Sequence, residues 1–347
     1  MNSDDLRRAY TGTFFLTADV PSVMAFLRGR EWLEAGEIVE GLQRAGEGNM
    51  NCVMRVRTPR RSFILKQSRP WVEKYPSIAA PWDRALVEAA FYRQVEQQAG
   101  VASHLPKLLF FDCAEHLMML EDLGDDTRDF TRLYSDAGML LEEAHLRRLK
   151  DFLIALHTSF RSPALAVPFS NREMRELNHE HIFAFPLREN NGLDLDLITP
   201  GLACLALGLS ADRPYCSMVR SLGERYLESS GPCLIHGDFF PGSWIEAGAN
   251  IYVIDPEFCF YGLPEWDLGV FAAHLYLSGR PHGSADALFS SYTNAAPLDR
   301  QLALQLAGVE IMRRLIGVAQ LPVRFGLTRK AELLTLSREL VLQSSSR

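Results

Sequence analysis

Two periods divide the chain. Between residues 37 and 120 apolar and polar positions alternate in short runs, whereas beyond about residue 140 the apolar positions recur every three or four residues. The first pattern predicts a small sheet. Strands are expected at 38–42, 52–57 and 62–67, the last two joined by Thr58-Pro59-Arg60-Arg61 as an antiparallel hairpin. That pairing puts Lys66 on the same face as Ile64. Asp83 stands where it can cap a helix running to Gln98, with Leu86, Ala90 and Val95 near its apolar face and Glu88 inside it. Strands at 108–112 and 117–120 follow, then the polar stretch Glu121-Asp122-Leu123-Gly124-Asp125-Asp126, which suits a linker. The second pattern predicts helices over 142–160, 217–229, 265–278, 300–319 and 328–343, interrupted by two short apolar strands at 233–236 and 251–255. No internal repeat is visible.

A length of 347 residues fits about two structural units of ~150 each. The expected fold class is α+β, with a smaller unit over 1–121 that opens on an N-terminal helix and a larger, mainly helical unit over 122–347. The longest nearly unbroken apolar run, 201–211, is too short for the ~18 to 20 residues of a membrane-crossing helix, so no membrane span is expected. Hydrophobic residues at 47% and charged residues at 23% exclude a disordered or fibrous chain. The balance of 36 basic against 43 acidic residues disfavours a nucleic-acid binder, which needs a broad basic surface, but leaves room for a local basic pocket. Six cysteines without metal-ligand spacing, and an N-terminus carrying Asp4, Asp5, Arg7 and Arg8 with no apolar core, predict reduced, mostly buried thiols in a cytoplasmic protein.

Three local signals carry chemistry. Gly46-Glu47-Gly48-Asn49-Met50-Asn51 lies between two expected strands; it reads as a plain hairpin or as a loop whose backbone N–H groups approach a phosphate, and it lacks the ending of a P-loop. Lys66 and Glu88 read as two solvated charges, or as a strand lysine that reaches phosphates and the helix carboxylate that fixes it. The sharpest signal is His236-Gly237-Asp238 after one buried strand and, seventeen residues past Asp238, Asp255-Pro256-Glu257 after another. A strand–loop–strand unit returning two acidic clusters to one sheet end suits phosphoryl transfer: Asp238 would orient a hydroxyl and accept its proton, while a metal held by the second cluster neutralises phosphate charge. If the backbone is extended there, Asp255 and Glu257 point to one side and share an ion such as Mg2+. The structural alternatives are turn caps at Asp238 and Asp255.

With these segments the chain resembles the aminoglycoside phosphotransferase/choline kinase superfamily, and within it the methylthioribose kinases. The matching segments are GEGNMN (46–51), ILKQ (64–67), DRALVEA (83–89), LEDL (120–123), HGDFFPGS (236–243), VIDPEFCFYG (253–262) and IMRRLIGVA (311–319), in order over nearly the whole chain. The resemblance implies a two-lobed protein-kinase-like fold, an antiparallel-sheet N-lobe and a helical C-lobe with the reaction in the cleft between them. It makes Asp238 the catalytic aspartate, Asp255 and Glu257 the Mg2+ ligands, and Lys66 the nucleotide-phosphate lysine held by Glu88. Gly46, Gly48 and Asn49 become the loop over the ATP phosphates, and Glu121 to Leu123 the hinge near adenine. Arg313 and Arg314 reach the active site and the acceptor, although by helical spacing Glu310 could hold either on a helix surface.

The departures are local. Methylthioribose kinases read HGDLHTGS where this chain has Phe239, Phe240 and Pro241, Ala80-Pro81-Trp82-Asp83 replaces a Trp-Pro segment, and Ser243 stands where relatives outside that subgroup carry a metal-binding asparagine. The expected activity is an ATP- and Mg2+-dependent kinase of a small alcohol, with 5-methylthioribose of methionine salvage first among acceptors. Another sugar, an amino alcohol or an aminoglycoside is the alternative acceptor, and a catalytically silent nucleotide-binding protein the alternative class. A homodimer is compatible with all of these.

Overall fold

Thr58 closes the first hairpin with its backbone N–H on the Arg61 carbonyl at 2.9 Å, while its hydroxyl accepts from the N–H groups of Arg60 and Arg61. That turn sets the register of β2 (Cys52–Arg57) against β3 (Ser62–Gln67), which pair antiparallel along their whole length. We describe residues 10–46, 50–134, 141–161, 169–228, 230–280, 283–321, 323 and 325–343 of a computed structural model. Contacts divide the chain into two compact units, 1–127 with 252–257, and 128–251 with 258–347. The acidic segment 252–257 thus belongs to the first unit, although it follows residue 251 in sequence.

The first unit is built on a five-stranded antiparallel sheet. With β1 (Gly41–Arg44), β4 (Leu108–Asp112) and β5 (Leu117–Glu121), the strand order is β1-β2-β3-β5-β4. β1 starts later than its apolar pattern predicts, because Glu37 is drawn into a turn by Arg61, Thr58 and the Glu34 N–H before pairing begins. The core combines Met54, Val56, Phe63, Leu65, Leu117 and Met119 of the sheet with Val23 and Leu27 of α1 (Val20–Gly29), whose first turn is capped by Asp19. Helix α2 (Arg84–Val95) follows Asp83, but the expected cap is not made. The Asp83 carboxylate pairs with His116 instead, and the buried face of the helix includes Arg84 and Glu88 rather than Leu86 and Ala90. The acidic stretch after β5 is tied down by Arg55, which binds Asp122 and Asp125 at 2.8 Å each.

The second unit is mainly helical: α3 (Glu143–Ser159), α4 (Arg172–His179), α5 (Leu202–Ser210), α6 (Arg213–Glu228), α7 (Pro264–Leu277), α8 (Gly283–Thr293), α9 (Arg300–Ile316) and α10 (Leu327–Leu342). The apolar run at 201–211 is α5, and among the described residues no helix is long and apolar enough to cross a membrane. α6 starts four residues before the pattern suggests, since Asp212 caps the Tyr215 N–H and Pro214 is tolerated in a first turn. Every residue of α7 is buried, as a helix apolar on all sides must be. It lies against α9 at Gly269, where a Cβ would stand 2.8 Å from the Ala303 carbonyl, so only glycine permits this approach. β6 (Cys233–Ile235) pairs antiparallel with Phe260–Gly262 and leads into the His-Gly-Asp loop. None of the six cysteines forms a disulfide; Cys52, Cys233 and Cys259 are buried, Cys216 is half-buried, and Cys113 and Cys204 are exposed, so half and not most are interior.

Candidate active site

In the first unit, strand alternation turns Lys66 of β3 inward, where its side chain is only 3% exposed. Its ammonium donates to Glu88 Oε1 at 2.7 Å and to Asp255 Oδ1 at 2.6 Å, so the pair are not solvated charges. Burial works against the lysine charge, but Asp255, Glu88 and Glu257 outweigh it and hold the ammonium well above the ordinary lysine range. Burial pushes the Glu88 carboxyl up, with Lys66 opposing.

The acidic segment departs from the extended geometry expected of it. Asp255 has a φ of 61° and Pro256–Phe258 forms a 3-10 turn, so the two carboxylates do not share one face of a strand. Asp255, 43% exposed, reaches Lys66; Glu257 is buried, forms an ion pair with Arg84 whose Nε lies 3.1 Å away, and accepts from Asn51 Nδ2 at 2.9 Å. Among the described residues no group of three or more His, Cys, Asp or Glu could hold a metal unaided. The donor chemistry nevertheless suits Mg2+, which takes one or two carboxylates and completes its shell with phosphate oxygens and water. Three carboxylates against Lys66 and Arg84 leave one net negative charge for a cation to meet.

Gly46 has a φ of 73°, in the left-handed region that favours glycine, while Gly48 and Asn49 lie outside the described residues. Glu121 ends β5 and exchanges bonds with Lys107, whose carbonyl takes the Glu121 N–H and whose N–H meets its carboxylate. Leu123 is half-buried in the segment held by Arg55.

In the second unit the His-Gly-Asp loop is fixed from below by Asp267 of α7, which accepts from the N–H groups of His236 at 2.7 Å and Gly237 at 2.9 Å. Trp266 Nε1 donates to the Gly237 carbonyl at 2.8 Å. Gly237 has a φ of 87°, and a Cβ there would fall 2.1 Å from the Phe258 carbonyl, so no other residue fits the turn. The turn presents Asp238, whose side chain is 23% exposed and whose Oδ1 accepts from Arg313 Nη2 at 3.0 Å and Arg314 Nη2 at 3.4 Å. Ser243 donates to the Asp238 carbonyl at 3.0 Å.

Glu310 lies behind the arginines, fully buried. It accepts from Arg313 Nε at 2.5 Å, Arg314 Nε at 2.7 Å and His274 Nε2 at 3.1 Å. Nε2 of the imidazole carries the proton that meets Glu310, and with burial disfavouring a second proton Nδ1 is left to accept from the Tyr134 hydroxyl. Burial would raise the Glu310 carboxyl, but Arg313, Arg314 and His274 hold it well below the carboxylate range; burial drives His274 down to about 4. The arginines do pair with Glu310, but in a buried cluster and not on the helix surface that the spacing suggested, and the same guanidiniums also meet Asp238.

Among the apolar replacements in the loop, Phe239 is buried against Phe152, Trp244 and Phe271. Phe240 lies under the Arg314 guanidinium, 4.2 Å from ring centroid to cation, and Pro241 opens a 3-10 turn. Residues that sequence reasoning did not single out are Asn51, Arg84, Tyr134, Asp267 and His274. For Asp267 and His274 a signal was present, since polar residues inside an otherwise apolar helix need partners.

Curated relatives are methylthioribose kinases. That of Exiguobacterium sibiricum is 25% identical over 268 residues, covering 74% of this chain and 64% of its own length. That of a Geobacillus strain is 25% identical over 86% of this chain and 85% of its own, and that of Yersinia pestis 29% identical over 67% and 58%. The chain therefore spans less than two thirds of the first and third of these relatives. Among solved structures, a spectinomycin phosphotransferase in complex with ADP and spectinomycin superposes with a TM-score of 0.53 at 11% identity, covering 94% of this chain and 98% of that one. A choline kinase from Streptococcus pneumoniae gives 0.50 at 13%, covering 92% and 98%. These likenesses concern the fold, which is the protein-kinase-like one, a sheet-based N-terminal part and a mostly helical C-terminal part. The model of the phosphotransferase enzyme family matches residues 41–302, and the chain belongs to that family.

Proposed function

We propose that the protein is an ATP-dependent small-molecule kinase whose acceptor is the sugar hydroxyl of 5-methylthioribose. The observation that carries this reading is Lys66, a buried ammonium held between Glu88 and Asp255, because a charge so fixed contributes to phosphate binding rather than to a solvated surface. Its names come from the methylthioribose kinases, at 25 to 29% identity. The glycine turn at Gly46 would lie over the phosphates, and Glu121 and Leu123 would border the adenine.

In the reaction, the acceptor oxygen forms a bond to the γ-phosphorus as the bond from that phosphorus to the β–γ bridging oxygen breaks, and ADP leaves. The hydroxyl proton passes to the Asp238 carboxylate. Arg313 and Arg314 counter the charge that develops on the transferred group; both are held by Glu310, so their guanidinium planes are set before substrate arrives. Mg2+, with Asp255 as its most open ligand, would neutralise charge on the β- and γ-phosphates. Little covalent work is asked of the protein, and positioning supplies most of the acceleration.

A coupled ADP-release assay over methylthioribose, ribose, other sugars, choline and aminoglycosides, with and without Mg2+, tests this. Turnover that needs Mg2+ and favours methylthioribose is expected. Preference for another alcohol would move the acceptor assignment while keeping the kinase, and Mg2+-dependent nucleotide binding with no turnover on any alcohol would favour the catalytically silent reading.

A further inference from the structure

Arg84 is charged and almost fully buried in the first unit, and every group it touches belongs either to the end of the glycine segment, to the chain beside it, or to the acidic segment. Its Nε donates to Asn51 Oδ1 at 3.1 Å and lies 3.1 Å from Glu257 Oε2. Nη2 donates to the Met50 carbonyl at 3.0 Å, and Nη1 to the carbonyls of Arg69 and Pro81 at 2.7 Å each. Asn51 completes a triangle by donating Nδ2 to the same Glu257 oxygen at 2.9 Å. A guanidinium removed from water is costly unless all its donors are met, so this fork is satisfied in only one arrangement of the three segments.

Helix α2 presents Arg84 one turn before Glu88, and the acidic segment presents Asp255 two residues before Glu257. The charges are cross-paired: Glu88 and Asp255 meet on Lys66, while Glu257 is met by Arg84. The exchange is discriminating, because Arg84 on Asp255 would take from buried Glu257 the guanidinium that now lies 3.1 Å from it.

We propose that Arg84 and Asn51 are positioning residues that latch Met50 and Asn51, where the glycine segment ends, to Glu257, so that this end of the segment and the acidic segment respond to Mg·nucleotide together. The proposal rests on the kinase reading above. It predicts a linkage: the gain in nucleotide affinity on adding Mg2+ depends on two residues that themselves contact neither metal nor phosphate.

ADP binding is measured by calorimetry with Mg2+ and with EDTA, for wild type, Asn51→Ala, Arg84→Lys, Glu257→Gln and the Asn51→Ala/Glu257→Gln double variant. Asn51→Ala removes one small side chain and leaves the Arg84–Glu257 pair, so it is the folded control if Arg84→Lys loses stability. The ratio of the two dissociation constants is expected to shrink about tenfold in Asn51→Ala and in Arg84→Lys. In the Glu257→Gln background Asn51→Ala should shrink it no further, since it acts through Glu257. Melting temperatures alone falling, with the ratio unchanged in Asn51→Ala, would overturn the latch, as would additive losses in the double variant. Wild type that binds no ADP overturns the kinase reading and the latch with it, whereas a normal wild-type ratio with unresponsive variants overturns the latch alone.

Discussion

Glu310 Oε1 accepts the Nε–H of Arg314 at 2.7 Å, one helical turn along α9, and both side chains are buried. This pair joins the fold to the proposed chemistry, because the far end of the same guanidinium reaches Asp238. Glu310→Gln keeps the shape and removes the charge. Two arginines then share only Asp238, at a cost of about 3 kcal/mol. Turnover should fall by one to two orders of magnitude, roughly the value of misplacing a charge-stabilising donor, with KM for ATP little changed. Steady-state kinetics beside urea unfolding check this; normal turnover in a destabilised enzyme would leave Glu310 a purely structural residue.

Arg314→Lys tests the fork and the ring beneath it. A lysine keeps the charge but cannot hold Glu310 and Asp238 together, and it loses the planar stack over Phe240. The expected loss in kcat is about tenfold, on the order of 1 to 2 kcal/mol of cation–π and bidentate interaction. Arg313→Lys should behave likewise. Wild-type rates on the true acceptor in both variants would remove the arginines from the reaction.

How much of this was legible depends on how local each cause is. The hairpin at 58–61, strands 52–57 and 62–67, and the His-Gly-Asp and Asp-Pro-Glu clusters were readable because neighbours in sequence decide them. Nothing near Arg84 in sequence signals its burial, because periodicity takes charges as solvated; four of its five partners, on Met50, Asn51, Arg69 and Glu257, come from distant segments and only the Pro81 carbonyl from the turn before the helix. The common direction of Asp255 and Glu257 failed for a related reason. It assumed a strand conformation that the left-handed Asp255 does not have. Asp83 lost its cap to His116, a partner over thirty residues away.

Lys66→Met should weaken Mg·ATP use and also destabilise the first unit, since the lysine is not a surface charge. Glu88, whose carboxyl burial already raises, loses the ammonium that opposes the rise. A group whose folded pKa lies above its unfolded one is stabilising below the unfolded value and penalises the fold as pH climbs through the folded one. The part of the deficit that Glu88 carries should therefore open as pH rises through about 7, where the wild-type carboxyl ionises and that of the variant stays protonated, and close as pH falls through the same value. Unfolding curves from below neutrality into mildly alkaline pH read this directly, and a pH-independent deficit would contradict it.

His274 gives a second acid window with its own sign. Its folded pKa is lowered to about 4 from 6.5, so the unfolded chain binds the extra proton between those values. Stability is complete above about pH 6.5 and declines as pH falls toward 4, by on the order of 3 kcal/mol from this one group. His274→Gln, which can still donate to Glu310, should flatten that part of the profile. An unchanged slope between pH 6.5 and 4 would mean that the imidazole is not held neutral.

Asp238 carries the most specific expectation. Its backbone is pinned by Asp267 through His236 and Gly237, its carbonyl by Ser243, and its Oδ1 by two guanidiniums, so little is left for the side chain to reorganise during a reaction. In the proposed reaction the carboxylate, paired with two arginines, would orient the hydroxyl and take its proton late, when the transferring phosphoryl draws the arginines toward itself. Asn keeps the size and the turn while losing the base. Asp238→Asn should lose turnover by ~10² to 10⁴, bind Mg·ATP as wild type does, and melt near the wild-type temperature because the backbone bonds that hold the loop remain. Residual turnover above about a tenth of wild type, well short of what a positioned base is worth, would reduce Asp238 to a counter-ion for Arg313 and Arg314.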